Sequence, residues 1–382
     1  MFNKTSKEVV SYGIFDLYLG KILERSYNLA KHAGKEGMKM TLVEMIAIKL
    51  GLAPAPIFDA LIPALKSKAI FVANKLRVFD RLSNRFLSPR ELAQETNADE
   101  GNLAMLLEVL VAVGYLKRKN CKYANTKVAQ QWLFEGSDKS VGNILRHIDD
   151  NWAIWVGLEE TIRTGKPVFN FMQICNERPE VQRNYTLGMM DNARMLADEV
   201  VSKVKVSPQA RSLLDLGGAH GYYSIAFCRK YPQLNSIVLD LEGAIQIGKE
   251  VVNQEKMGDR VAFQVGDCVI DDIGSGYDVT LLFNLLHGES PDTDKAIVKK
   301  VYDALNRGGT IAIVEILNYK GKKESATGLL FALNLLAGAP RGRTYSDEEI
   351  RGWLEHVGFA NIERIELRRM PGHSLMIATK PT

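Results

Sequence analysis

The chain has 382 residues, of which 46% are hydrophobic and 25% charged, and its formal net charge is +4 at pH 7. This length predicts two or three domains, and the composition is that of a globular protein with enough apolar residues for a sizeable core. The 49 basic residues barely exceed the 45 acidic ones, so the charge favours neither a nucleic-acid nor a membrane-surface partner.

The cysteines indicate where the protein resides. Cys121, Cys175, Cys228 and Cys268 are widely scattered and form no C-x-x-C pair, so we expect reduced thiols rather than a disulfide framework or a zinc site. The first residues lack the apolar core of a signal peptide, and no apolar run approaches the roughly 20 residues of a membrane span. We therefore expect a cytoplasmic protein without a membrane segment.

The first part of the chain is predicted to be helical. Residues 1–68 are expected to form a helical arm, in which Pro54, Pro56 and Pro63 are interpreted as helix breaks. A helix with one apolar face is then predicted over residues 69–80.

Residues 69–140 show the order of a winged-helix domain: helix, helix, turn, helix, hairpin. Ser88, with Glu91 three positions later, predicts a capped helix start. Residues 102–114 predict the helix after the turn, and residues 115–125 predict the hairpin.

A winged helix raises the question of DNA binding, which the charges disfavour. Residues 99–114 contain no Lys or Arg, whereas a DNA-reading helix needs them to reach phosphates and bases. The nearby basic residues are confined to the predicted hairpin, at Lys117, Arg118, Lys119 and Lys122. We therefore expect a dimerisation domain rather than a DNA-binding one.

Residues 141–204 are expected to form a helical connector. Its aromatic, methionine and amide side chains, at 151–155 and 189–195, are suited to the wall of a pocket for a flat apolar ligand. The same periodicity also fits an ordinary interdomain core, and the sequence leaves both interpretations open.

The most informative segment, residues 211–224, reads RSLLDLGGAHGYYS. It predicts a strand, a turn at Gly217, Gly218 and Gly221, and a helix, which is the first β-turn-α unit of a doubly wound sheet. Leu216 stands where a dinucleotide fingerprint needs its first glycine. Asp215 before the turn instead suits a cationic ligand without a phosphate, such as S-adenosylmethionine.

Two further predicted strands end in acidic residues. Asp240 lies 23 positions after Gly217, where its carboxylate can accept hydrogen bonds from both ribose hydroxyls. Asp267 is placed to meet the adenine amino group. Leu241 follows Asp240, Cys268 follows Asp267, and Asn284 follows the next predicted strand. We expect these three residues to belong to the cofactor site as well.

Residues 277–289 read YDVTLLFNLLHGE, and the later strand 310–315 ends in Glu315. With these motifs the chain resembles the S-adenosylmethionine-dependent O-methyltransferases of plant and bacterial secondary metabolism, from about residue 70 to the end. The resemblance implies a Rossmann-like class I methyltransferase sheet over residues 205–382. It also implies a homodimer formed through the N-terminal domain and a small-molecule acceptor. It makes His287 the candidate general base and Glu315 the carboxylate that orients its ring.

The chain departs from the family pattern near that base. Gly288 stands where the family has Asp, Gly342 where it has a second Glu, and Phe283 where many plant members have Lys. An acidic C–H, an amine or a thiolate is therefore an alternative acceptor, with methyl transfer driven by proximity. A catalytically inactive regulator or scaffold, and a hydroxylase-like variant of the fold, also remain open.

The other elements follow the same fold. Helices are predicted over 294–305 and 346–358 and closing strands over 361–367 and 374–380. The helix at 326–337 is apolar nearly all round and is expected to be buried against the partner subunit or the substrate. His220 is either a cofactor contact or a solvated loop residue. Asp267, Asp271 and Asp272 are interpreted as a solvated acidic loop, and no metal site is expected.

Overall fold

The computed structural model describes residues 54–317, 326–370 and 372–382. The chain divides into two compact units, one up to Asp138 and the other from Lys139 to Thr382. Most of the predicted arm, residues 1–53, lies outside the described residues, and the predicted boundary at residue 68 falls within a helix.

The first unit is mainly helical. Its elements are α1 (Ala55–Lys75), α2 (Val78–Arg81), α3 (Pro89–Thr96), α4 (Glu100–Ala112), β1 (Leu116–Lys119), β2 (Lys122–Asn125) and α5 (Lys127–Trp132). Strands β1 and β2 pair antiparallel, which confirms the predicted hairpin. The predicted capping box is also present, since Ser88 accepts from the backbone of Glu91 while the Glu91 carboxylate accepts from Ser88.

The interpretation of the prolines as helix breaks was wrong at Pro63. This residue lies inside α1, whereas Pro56 occupies the first turn of that helix. Proline removes one helical hydrogen bond but does not always end a helix. The helix predicted over 69–80 is instead interrupted at Arg77, whose backbone is left-handed, with φ 57°.

Acidic residues neutralise part of the hairpin's positive charge. Glu108 of α4 accepts from Arg118 at 2.6 Å, and Glu91 pairs with Lys122 at 3.2 Å. Helix α4 begins two residues earlier than predicted because the Asp99 side chain caps it by accepting from the Asn102 N–H. The charges that a nucleic acid would need are thus partly engaged within the unit.

The second unit begins with four helices and continues as an alternating α/β chain. Its helices are α6 (Gly142–Trp155), α7 (Leu158–Thr164), α8 (Phe171–Glu177), α9 (Pro179–Lys203), α10 (Tyr222–Lys230), α11 (Glu242–Gln254), α12 (Pro291–Ala304), α13 (Ala326–Gly338) and α14 (Asp347–Val357). Its strands are β3 (Ser212–Leu216), β4 (Asn235–Asp240), β5 (Val261–Val265), β6 (Tyr277–Phe283), β7 (Leu305–Ile316), β8 (Ala360–Glu366) and β9 (His373–Thr379).

These strands form one sheet in the order β5-β4-β3-β6-β7-β9-β8. The first five are parallel, and β9 pairs antiparallel with both β7 and β8. The chain runs outward from β3 to β5 and then returns to the other side of β3 as β6. The ends of β3 and β6 therefore flank the topological switch point, where ligands bind in open α/β sheets.

Alternating side chains of the strands enter two cores, one on each face of the sheet. Leu213, Val238 and Leu281 belong to one core, and Leu214, Leu239 and Leu282 belong to the other. The doubly wound α/β fold predicted from the sequence is confirmed.

Helix α13, which is expected to be buried against the partner subunit or the substrate, exposes several leucines within the single chain. On α13, the leucines at 329, 330, 333 and 336 are 39–66% exposed, while Gly328, Leu335, Ala337 and Gly338 are buried. Phe331 and Asn334, on another face of the same helix, contact side chains of this unit. Phe331 lies edge-on to His287, and Asn334 accepts a hydrogen bond from Trp155.

Helix α6 depends on a carboxylate from α9. Buried Asp191 accepts from the backbone N–H groups of Asn143 and Ile144, at 2.9 and 3.2 Å, in the first turn of α6. Asp191→Ala leaves these donors without a partner, so we expect the free energy of unfolding to fall by about 1–3 kcal/mol. Chemical denaturation measures this loss.

Asp198→Ala is the matched control on the same helix. Its side chain is 80% exposed and forms an exposed ion pair with Arg369. Such pairs contribute little, so its effect should stay below about 0.5 kcal/mol. Equal losses in the two variants would contradict the capping role of Asp191.

Candidate functional site

A tight glycine turn follows β3. Gly217 has φ 70°, and its N–H donates to the Leu239 carbonyl of β4 at 2.8 Å. A Cβ at Gly217 would meet the Leu285 side chain at 2.8 Å, and one at Gly218 would meet the Asp215 carboxyl at 2.4 Å. Gly221, with φ 65°, is the N-cap of α10. The turn thus has no space for side chains, which leaves its backbone close to the edge of the sheet.

Asp215 lies beneath this turn. It is 1% exposed and accepts from the Ser224 hydroxyl of α10 at 2.7 Å. Burial raises the pKa of Asp215 to about 7, and the hydrogen bonds from Ser224 oppose that rise. Its nearest contacts are therefore the turn and the helix start, which it joins to β3.

Asp240 ends β4 and faces the same turn. Its carboxylate accepts from the Ala219 N–H at 2.8 Å and from the Leu241 N–H at 2.7 Å. Burial raises its pKa, and these backbone hydrogen bonds counter the rise. Leu241 beside it is 40% exposed, so the edge next to Asp240 is open to a ligand.

The prediction that a strand ends at Asp267 was wrong, because β5 ends at Val265. Asp267 lies in the following loop, where its N–H donates to Asp271 and its carboxylate accepts from the Val269 N–H. Gly266 donates to the Asp240 carbonyl at 3.0 Å, which keeps this loop at the same edge as the glycine turn.

The same loop is held by a lysine that the sequence did not single out. Lys300 of α12 donates to the carbonyls of Cys268, Val269 and Asp271, at 3.1, 2.8 and 2.9 Å. The ammonium group thereby uses all its N–H donors on the backbone next to Asp267 and Cys268. Nothing in the local sequence of α12 indicates this contact, which arises only when the helix packs on the sheet.

Gly248 of α11 is a second residue that the sequence analysis missed. A Cβ there would lie 2.2 Å from the Ala219 carbonyl, so only glycine allows the helix to approach the glycine turn after β3 this closely. A glycine in the middle of a helix is the signal that could have identified it.

At this edge, Asp215 and Asp240 have no positively charged side chain among the groups that most affect their pKa values. Burial is the largest cause of the raised pKa values of Asp215 and Asp240, and no lysine or arginine contributes to either. An edge with uncompensated carboxylates and free carboxylate lone pairs fits a ligand that carries positive charge and hydroxyl groups. The sulfonium, ammonium and ribose diol of S-adenosylmethionine have this chemistry.

The segment after β6 forms the other side of the switch point. Asn284 has a left-handed backbone, with φ 54°, and its N–H donates to the Val314 carbonyl of β7. A short 3₁₀ turn, Leu286–Gly288, follows and carries His287. Leu285 between them packs against Gly217, so the turns after β3 and β6 are in contact.

His287 is paired with Glu315 at the end of β7. Its Nδ1 lies 2.6 Å from Oε2 of Glu315, and Oε1 of the same carboxylate accepts from the Leu286 N–H at 2.9 Å. Because a carboxylate only accepts, Nδ1 carries the proton and Nε2 keeps a free lone pair. The ring also lies edge-on to Phe331, with centroids 5.0 Å apart.

The pKa of His287 reflects opposing effects. Burial lowers it, but the charge and hydrogen bond of Glu315 raise it, with a further contribution from Asp294, and the net pKa lies above the usual value. The neutral, proton-accepting ring is therefore available above that raised pKa and is lost as the pH falls through it.

Tyr185 of α9 belongs to an aromatic cluster of the connector. The charges of both Asp240 and Glu315 raise its pKa, although burial contributes more. Its ring is 5.0 Å from Phe171 and 5.1 Å from His147, between ring centroids. The connector thus places aromatic side chains beside the edge that carries His287.

His220 is not a solvated loop residue, which was one of the alternatives. It is 5% exposed, and its Nδ1 accepts from the Tyr222 N–H at 3.0 Å. Burial and the nearby Arg194 lower its pKa to about 3, so the ring stays neutral at physiological pH.

The described parts of the chain contain no cluster of three or more His, Cys, Asp or Glu arranged to hold a metal ion. Asp271 and Asp272 accept from the N–H groups of Asp267 and Gly274, so they stabilise the loop. Within the same ranges, no helix has the length and hydropathy of a membrane span.

Known proteins share this architecture. The O-methyltransferase domain family matches residues 155–360, more than half of the chain, and the O-methyltransferase dimerisation domain matches residues 59–135. A 3-hydroxy-5-methyl-1-naphthoate 3-O-methyltransferase from Streptomyces sahachiroi is 26% identical over 82% of this chain and 91% of its own length. The N,N-dimethyltransferase OxyT of Streptomyces rimosus is 24% identical over 83% of this chain and 93% of its own.

The fold is also found among solved structures. Human N-acetylserotonin methyltransferase in complex with S-adenosylmethionine superposes with a TM-score of 0.77 at 19% identity, over 86% of this chain and 97% of that one. This likeness shows the fold. The family match over residues 155–360, more than half of the chain, establishes that the chain belongs to the S-adenosylmethionine-dependent O-methyltransferases that act on small molecules.

Proposed function

We propose that this enzyme methylates a hydroxyl group on a small, flat, mostly apolar acceptor, with His287 as the general base. The observation that carries the proposal is the 2.6 Å contact between His287 Nδ1 and Glu315, at the sheet edge next to the glycine turn. This contact fixes the tautomer in which Nε2 is free to accept a proton.

The chain's acidic edge would hold the cofactor. Asp240 accepts hydrogen bonds from the ribose diol, Asp267 and Cys268 lie at the adenine, and Leu241 and Asn284 line the site. Asp215, beneath Gly217, Gly218 and Gly221, favours the cationic end through its charge. When bound, S-adenosylmethionine supplies a methyl group on a positively charged sulfur, which makes the carbon open to attack.

The base would work in one displacement. Nε2 of His287 would accept the proton of the acceptor hydroxyl, which makes the oxygen a better nucleophile toward the methyl group that the bound cofactor would supply. Glu315 stabilises the imidazolium that forms and keeps its ring in place.

Aromatic side chains support a flat acceptor. Phe331 lies against the base, and the charges of Asp240 and Glu315 both influence Tyr185, which packs against Phe171. Flat rings bury a large area against such walls. The naphthoate acceptor named for the Streptomyces sahachiroi relative has this shape.

The assembly is part of the proposal. The first unit has the helix order and hairpin of a winged helix, and its match to a dimerisation domain supports a homodimer of a cytoplasmic enzyme. The domain limits proposed are 1–68, 69–140, 141–204 and 205–382.

Transfer to nitrogen is the second candidate. Gly288 and Gly342 leave fewer carboxylates around the base than the family pattern provides, and OxyT is named as an N,N-dimethyltransferase. A neutral amine attacks without a base, since proximity and orientation suffice.

The cofactor site is tested by titrating the protein with S-adenosylhomocysteine in a calorimeter. Asp240→Ala should weaken binding tenfold or more, about 1.4 kcal/mol, because the ribose loses its acceptor. Asp259→Ala, at an exposed aspartate before β5, is the control and should bind as the wild type does. An absence of binding by the wild type would sink the cofactor assignment.

The contact between Lys300 and the loop after β5, which carries Asp267 and Cys268, gives a second test by the same titration. Lys300→Met removes the donor to three loop carbonyls, so we expect affinity for S-adenosylhomocysteine to fall about three- to tenfold. Lys299→Met is its neighbour on α12, pairs only with exposed Asp303, and should leave affinity unchanged. Equal affinities in both variants would argue against an ordering role for Lys300.

The base is tested by screening phenols, amines, thiols and carbon acids for methyl transfer. With a phenol, His287→Ala should lower kcat about 100-fold or more without changing cofactor affinity. Glu315→Gln should also lower kcat and move the acid limb of the pH profile to lower pH, because it removes a group that raises the pKa of His287.

His356→Ala, at an exposed histidine near the end of α14, controls for loss of an imidazole. Full activity of His287→Ala on an amine, with no activity of the wild type on phenols, would replace O-methylation by the second candidate.

A further inference from the structure

A second buried carboxylate lies near the proposed base and has no assigned role. Asp294, in the first turns of α12, is fully buried, and its Oδ1 has no hydrogen-bond partner. Its Oδ2 accepts from the Tyr345 hydroxyl at 2.6 Å. A buried carboxyl with one open oxygen is costly to a fold, so its retention calls for a physical reason.

The residues around Asp294 also hold the turn that carries His287. The Arg343 N–H donates to the His287 carbonyl at 3.0 Å, and the Tyr345 hydroxyl lies 3.2 Å from the Glu289 carbonyl. Arg341 forms an ion pair with Glu289. The segment 341–345 therefore contacts the His287 turn at the histidine carbonyl and at Glu289 after it.

This close contact excludes a carboxylate from position 342. A Cβ on Gly342 would lie 2.8 Å from the His287 carbonyl and 2.7 Å from the Ala339 side chain. A longer side chain does not fit there unless the segment moves away. Glu315 of β7 supplies one carboxylate to the ring, and α12 offers a second one at Asp294.

We propose that Asp294, held by Tyr345, is a positioning residue whose negative charge acts with Glu315 to favour the protonated form of His287. The inference rests on the proposed role of His287 as base. Asp294 acts through the field at the ring and touches neither the acceptor nor the cofactor.

Other charged groups surround this pair. Glu315 approaches the ring from β7, and Asp294 of α12 is linked to the His287 turn through the Tyr345 hydroxyl, which also lies 3.2 Å from the Glu289 carbonyl. His373 at the start of β9 is buried and is influenced by both Glu315 and His287. Glu289 acts on Asp294, while Arg343 lies over the Tyr345 ring.

The Tyr345 hydroxyl decides whether Asp294 is charged. It has a single proton, and donation to Asp294 favours the carboxylate. Burial and the nearby acids oppose this and raise the pKa of Asp294 to about 7, so the carboxyl changes charge near neutral pH. Loss of the hydroxyl should therefore neutralise Asp294 without altering the residue itself.

The test measures the His287 ring directly by NMR, with ¹³C-labelled histidine in the S-adenosylhomocysteine complex and without ligand. His287→Gln assigns the signal among the chain's 6 histidines. Asp294→Asn and Tyr345→Phe should each lower the pKa of His287 by about half a unit or more. Asp303→Asn, an exposed aspartate of the same helix, should leave it unchanged.

The outcome does not depend on an acceptor, so it is separate from the test of methyl transfer. An unchanged His287 pKa in folded Tyr345→Phe, whether or not Asp294→Asn folds, would overturn the proposal and leave Asp294 a packing residue. A lowered pKa in Asp303→Asn of the same size would overturn it as well, because the effect would then not be specific to Asp294.

Discussion

The parallel alignment of β3, β4 and β6 is the constraint on which the rest of the site depends. Parallel strands place their carboxyl ends at one edge, and the order β4-β3-β6 puts the switch point between β3 and β6. Residues that are far apart in sequence, such as Asp240 and His287, therefore come to the same edge. Leu285 packed against Gly217 shows how closely the two turns approach.

This alignment also concentrates negative charge. Burial raises the pKa values of Asp215 and Asp240. Hydrogen bonds from backbone N–H groups or a hydroxyl oppose this rise only in part. Ligands that bind only the folded state stabilise it, and a cationic ligand would relieve the uncompensated charge directly. The same arrangement that costs stability without ligand thus favours binding of a sulfonium compound.

The sequence predicted the elements that have strong local signals. The capping box at Ser88, the hairpin after α4 and the turn after β3 follow from side-chain chemistry within a few residues, and the structure confirms them. Pro63 within α1 and the end of β5 at Val265 were mispredicted, because a single proline does not always end a helix and strand ends have weak local signals.

The site was predictable only in part, for a related reason. Acidic residues at strand ends and the pair His287 and Glu315 are recognisable from spacing and resemblance. Lys300 and Tyr345 act through contacts over 29 and 51 positions, with Asp271 and Asp294 respectively, and no local pattern indicates them. Gly248 was missed although it is a mid-helix glycine, and its partner, the Ala219 carbonyl, is known only from the fold.

The geometry around His287 explains the glycine at position 342, whereas a Cβ on Gly288 would meet no atom within 4 Å, so crowding does not account for that second departure from the family pattern. Glu315 binds both the ring and the Leu286 N–H, so one carboxylate fixes the turn and the tautomer together. Once that turn is fixed, the backbone of segment 341–345 approaches the His287 carbonyl and leaves space only for Gly342. A second carboxylate can then act on the ring only from another element. Burial of Asp294 makes its charge effective, because a low local dielectric screens it less than water does.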